Sequence, residues 1–197
     1  MNTIVYLHGF RSSPASVKAV QFRDAVAMLP AARRPQLHVP DLTFSPAAAM
    51  RAVTNWLVSH ADSTHLTFVG SSLGGFYATY LAERLSARAV LINPAVNPHL
   101  ALAPWLGVQT NLHTGAPFEV TNAHFDELAA LRVTRITRPA RYFLLVETGD
   151  EVLDYREAVA FYGGGYQYLR GGGDHAFGEF VTQIPAILHF AGVGDAR

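Results

Sequence analysis

The run Gly70-Ser71-Ser72-Leu73-Gly74-Gly75 sets a serine between glycines, directly after the apolar stretch Leu66-Thr67-Phe68-Val69. A strand feeding Gly-x-Ser-x-Gly and then a helix is the pattern of a nucleophile elbow, a strained turn that lifts one hydroxyl clear of a sheet. Bulk at Gly70 or Gly74 would clash with a neighbouring strand or helix. A helix starting at Leu73 would also aim its free N–H groups and positive dipole end at the serine, where negative charge must be stabilised. Ser72 is the candidate nucleophile. The competing reading is a small residue in a tight turn.

A serine hydroxyl needs a base, usually a histidine that a carboxylate orients. Loops that follow strands are the place to look, because functional groups in a parallel sheet gather at the carboxyl ends. After Tyr142–Val146 come Glu147, Thr148, Gly149, Asp150, Glu151 and then Asp154; after Gln167–Leu169 come three glycines, Asp174 and His175. Of the nine histidines, His175 alone follows a glycine-rich turn and immediately precedes the last helix. His99, His113 and His124 fall in a long insertion with nothing to position them, and the others read as surface or core residues. Asp150 is the preferred acid. Asp154 can instead cap a helix, Glu147 can still be strand, Glu151 reads as solvated and Asp174 as a turn residue.

Acyl transfer also needs two preorganised donors for an oxyanion, each worth about 3–4 kcal/mol of transition-state stabilisation. The N–H of Leu73 supplies one. The loop His8-Gly9-Phe10 after the first strand supplies the other, through the N–H of Phe10, with His8 expected to brace that loop.

The elements that must carry these groups alternate. Short apolar runs at Ile4–Leu7, Leu37–Val39, Leu66–Val69, Ala89–Ile92, Tyr142–Val146 and Gln167–Leu169 read as strands. Between them lie helical stretches at about 15–29, 45–59, 73–85, 155–162 and 177–190, the last interrupted by Pro185. Apolar strands alternating with helices predict a mainly parallel sheet covered on both faces, a three-layer α/β domain over residues 1–197. A segment of about 95–139, rich in Pro, Asn, His and Thr, shows no clear strand and one helix near Ala123–Leu131; it reads as a short cap-like insertion.

Composition narrows the classes. The net charge is zero over 197 residues, which gives no electrostatic support to a nucleic-acid or membrane-surface partner. There is no cysteine, so disulfides, thiolate metal sites and a cysteine nucleophile are excluded. No metal or cofactor is expected. The N-terminal run lacks a signal-peptide pattern and no stretch is long enough to span a membrane, so a soluble cytoplasmic protein is the expectation.

With these residues assembled, the sequence resembles the α/β-hydrolase superfamily and, within it, the small bacterial YqiA-type esterases. The matching segments are Tyr6-Leu7-His8-Gly9-Phe10 with Ser12-Ser13-Pro14, the elbow, Asn93-Pro94-Ala95-Val96, Thr148 to Tyr155, and His175-Ala176-Phe177. The order Ser…Asp…His is that of this superfamily. The resemblance implies an α/β-hydrolase fold lacking the first two strands. It also implies hydrolysis of carboxylic esters, or of acyl-CoA thioesters, by Ser72, Asp150 and His175. Asp174 departs from the asparagine that the family commonly has before the histidine, and leaves the pH optimum open. A thioesterase or acyltransferase with the same triad, or a non-catalytic binding protein of hydrolase shape, are the alternatives.

Weaker features concern the small-molecule substrate. Arg11, beside the oxyanion loop, is placed to meet an anionic group. Leu100, Leu102, Trp105, Leu106, Phe118 and Phe125 are candidates for an apolar acyl lining, with Trp105 the one singled out. Arg132, Arg135, Arg138 and Arg141 recur every third residue but precede a strand, and so read as a solvated face at its amino end.

Overall fold

A computed structural model describes residues 2–60, 65–101 and 103–194. Its centre is a six-stranded sheet in the order β2-β1-β3-β4-β7-β8. The strands are β1 (Thr3–Leu7), β2 (Gln36–His38), β3 (Leu66–Ser71), β4 (Arg88–Ile92), β7 (Tyr142–Glu147) and β8 (Tyr166–Arg170), and every pairing is parallel. Side chains alternate across a strand, so strands apolar at every position feed two cores at once. Val5, Leu7, Phe68, Leu91 and Leu144 face one core, while Ile4, Tyr6, Val69, Val90 and Leu145 face the other.

Helices α2 (Pro46–His60), α3 (Leu73–Leu85) and α6 (Tyr155–Phe161) cover the first face with α5 (Asn122–Ala130). Helices α1 (Val17–Ala27) and α7 (Phe180–Phe190) pack together over the second, through Phe22, Val26, Phe180 and Ile184. Ser45 closes the first turn of α2 by accepting the Ala48 N–H at 3.1 Å, as a side-chain cap before a proline should. Pro185 does not break α7, which runs through it. Among the described residues no helix is long and apolar enough to cross a membrane.

The insertion is more ordered than its composition suggests. It holds the short α4 (Pro98–Ala101) and an antiparallel hairpin, β5 (Gly107–Thr110) with β6 (Pro117–Val120), before α5. The hairpin escapes the sequence because only one face of each strand is covered and β6 starts at a proline. Leu100 and Leu106 are exposed and do not line a pocket, whereas Phe118 is buried. Leu102 lies outside the described residues.

The chain leaves β1 toward β2 on one side and returns to β3 on the other. Loops after β1 and β3 therefore diverge, opening a crevice at the carboxyl ends where ligands bind in such sheets.

Candidate active site

Ser72 stands in that crevice with φ 55° and ψ −122°, a conformation that costs a non-glycine residue about 1–3 kcal/mol. Its backbone is held from both sides. The Ser72 N–H donates to Ile92 O at 3.0 Å, and Ser72 O accepts from Gly75 and Ala95 at 2.9 and 3.1 Å. The elbow closes only because two side chains are missing. A Cβ at Gly70 would lie 2.2 Å from Gly74 O, and one at Gly74 would lie 2.0 Å from Leu7 O.

His175 and Asp150 converge on this serine from the loops after β8 and β7. The Ser72 hydroxyl lies 3.1 Å from His175 Nε2, and His175 Nδ1 lies 2.8 Å from Asp150 Oδ2. The other Asp150 oxygen accepts the N–H groups of Val152 and Leu153, both at 2.8 Å. Burial pushes the Asp150 carboxyl up, but the bond from His175 and those two amides outweigh it and hold the group below the usual range. An ionised Asp150 accepts from Nδ1–H, which leaves Nε2 free to accept from the serine hydroxyl. Asp154 caps α6 by accepting the Arg156 N–H at 2.9 Å, and so belongs to the helix.

Residues that sequence reasoning passed over hold the two loops together. Buried Glu147, the last residue of β7, pairs with Arg170 at 2.7 Å and accepts the Asp174 N–H at 2.8 Å. Asn93, at φ 39°, accepts the Glu147 N–H at 3.0 Å and donates to the carbonyls of Asp174 and His175 at 3.0 and 3.3 Å. Glu151 is not merely solvated, since it accepts the His175 N–H at 3.0 Å. Gly149 and Gly172 continue the β7–β8 ladder at 2.9 Å, and a Cβ at Gly173 would strike the Glu147 carboxylate at 2.0 Å. The one available signal was a polar residue ending each of two fully apolar strands.

The loop after β1 lies against the nucleophile: a Cβ on Gly9 would be 3.2 Å from Ser72 Cβ. His8 fixes the loop from within. Its Nε2 accepts the Leu42 N–H at 3.2 Å, so its Nδ1 carries the proton that meets Gly9 O at 3.1 Å. Burial lowers the His8 pKa, keeping the ring neutral for that pair of bonds. Phe10 and Leu73 thus flank Ser72, one from each diverging loop.

Arg11 and Trp105 sit beside this loop without lining the cavity at Ser72. Arg11 Nε donates to Thr110 O at 3.0 Å and its guanidinium lies 5.4 Å from the Trp105 ring centroid. Trp105 and Phe118 each meet Phe10 edge-on, at 5.8 and 5.7 Å between centroids. Leu112 N–H donates to Arg11 O at 2.8 Å and Asn111 Nδ2 to Ser12 O at 2.9 Å, so the hairpin is stitched to the loop after β1. The arginine row stands where expected, ahead of β7, with Arg132, Arg135 and Arg138 exposed.

A parallel sheet of this order with an elbow after β3 is the α/β-hydrolase fold. Solved structures bear out the fold. A putative hydrolase from Agrobacterium vitis S4 is 21% identical, with a TM-score of 0.75 over 96% of this chain and 88% of that one. The α/β hydrolase domain-containing protein 10 from mouse is 17% identical, with a TM-score of 0.73 over 94% and 87%. The esterase domain of a Rhodothermus marinus protein is 18% identical, with a TM-score of 0.69 over 98% and 88%. The chain belongs to the family described as "Uncharacterised protein family (UPF0227)", whose model matches residues 3–192.

Proposed function

We propose that this protein is a serine hydrolase that cleaves carboxylic esters, or acyl thioesters, through an acyl-enzyme. The observation that carries the reading is the unbroken line Ser72 Oγ–His175–Asp150, at 3.1 and 2.8 Å, on a serine held in a strained elbow. In this mechanism Ser72 attacks the acyl carbonyl while its proton passes to His175 Nε2. Asp150 stabilises the imidazolium that forms and keeps the ring oriented. The N–H groups of Leu73 and Phe10 receive the oxyanion, with the first turn of α3 adding its dipole. His175 then gives the proton to the leaving alcohol or thiol, and water repeats the sequence to free the acid. The esterases among the structures of similar fold support this choice of reaction.

Intact mass after treatment with a fluorophosphonate tests the reading without a guess at the substrate. One adduct on the wild type, none on Ser72→Ala and a strongly slowed reaction on His175→Ala are expected. A folded wild type that takes up no label would replace the enzyme with a binding protein of hydrolase shape.

A further inference from the structure

The cavity at Ser72 has a volume of about 420 Å³ and is bounded on one side by α1. Besides Ser72 and His175, its wall holds Lys18, Gln21, Ser16 and Ser12 among apolar neighbours such as Val17 and Phe177. Lys18 is the only lysine of the chain. Its Nζ donates to the carbonyl of Ala176, the residue after His175, at 2.6 Å. That bond fixes the ammonium beside the base and leaves its other N–H groups for a ligand, since an ammonium carries three donors.

Among the described residues no carboxylate lies within ion-pairing distance of Lys18. Asp174, Glu147 and Asp150 are near enough to attract its charge. Asp150, however, is bonded to His175 and Glu147 to Arg170, and Asp174 does not line the cavity. A half-buried cation with no carboxylate in contact among the described residues costs desolvation, which an incoming anion offsets.

Building on the serine-hydrolase reading, we infer that Lys18 determines specificity and that the ester bound here carries a carboxylate in the part that fills the cavity. Gln21 and Ser16, on the same helix wall, supply neutral donors beside it. Arg11 does not line this cavity; its guanidinium lies against Thr110 and Trp105.

Two matched substrate pairs test the inference. One compares p-nitrophenyl hemiglutarate with p-nitrophenyl valerate, placing the carboxylate in the acyl half. The other compares the butyrate esters of 3-hydroxypropanoate and propanol, placing it in the alcohol half. In at least one pair the wild type is expected to prefer the charged ester by about 30-fold in kcat/KM, the scale of a charge-assisted hydrogen bond. Lys18→Met should collapse that ratio to near one and Lys18→Arg should keep most of it. A merely structural bond to Ala176 would lower both members of a pair alike and leave the ratio standing. Ratios near one in both wild-type pairs, or a preference that survives Lys18→Met, would overturn the assignment. Fluorophosphonate labelling of the same preparations separates the two levels: a labelled wild type without preference defeats only the Lys18 assignment, whereas an unlabelled one defeats the hydrolase reading beneath it.

Discussion

The two sets of loops that meet at Ser72, those after β7 and β8 and the one after β1, are secured by different physics. The loops after β7 and β8 prolong the sheet: backbone ladder bonds, the buried Glu147 carboxylate and the Asn93 amide fix Asp150 and His175 from inside the core. The loop after β1 leaves the sheet at its switch point and is held from within by the Leu42 N–H on His8 and from outside by the β5–β6 hairpin with its aromatic contacts. The proposed acid–base pair is therefore anchored by the sheet, and the proposed oxyanion donor Phe10 by contacts with an inserted hairpin.

The largest effect should come from the interior side. Asp150→Asn removes the acceptor that orients His175 and is expected to lower kcat by about 10⁴-fold, with the fold retained by circular dichroism. A fall of tenfold or less would move the orienting role to another carboxylate. Glu147→Gln discharges the buried partner of a pair whose arginine is partly exposed, and should lower the midpoint of urea unfolding. Because the other oxygen of the same carboxylate holds the Asp174 N–H, activity should fall with it, whereas a stable and fully active variant would show that the sheet ladder alone suffices.

On the outer side, Trp105→Ala should leave stability nearly unchanged. By loosening Phe10 it should reduce kcat by about tenfold, within the roughly 3–4 kcal/mol that a whole oxyanion donor supplies. A shift in acyl-chain preference should accompany it, and an unchanged rate and profile would detach Trp105 from the site. Asn111→Ala, which cuts one stitch to Ser12 and removes the acceptor of the His113 and Thr114 N–H groups, should cost about 1–3 kcal/mol.

The smallest effect is a difference in pH response. His8 has a folded pKa below its unfolded value near 6.5, so the unfolded chain takes up the proton first and stability declines as pH falls below about 6.5. Asp150 is also depressed, but its contribution is complete above the unfolded carboxylate value near 3.9 and is lost only as pH falls further. Thermal unfolding from pH 8 to 4 should therefore show an early decline that His8→Gln reduces, the remainder coming from His38 and His99, whose pKa values burial also lowers. An identical decline in that variant would assign it to another group.

Local chemistry made much of this molecule readable before folding. Glycines at 70 and 74 around a serine admit few other uses, because no other residue fits those approaches. Strands apolar at every position require two covered faces, and a histidine after a glycine turn at the end of the last strand has few rivals. Those signals are short-range. The tertiary structure alone decided what spans distance: that Glu147 and Asn93 tie loops 27 and 81 residues away, and that Arg11 spends its donor on a hairpin. It also decided that Lys18, an unremarked residue of the first helix, lies beside the base 158 residues on, at Ala176. Sequence fixes which bonds a side chain is able to make, but only packing chooses the partner, because the alternatives differ by separation in space rather than along the chain.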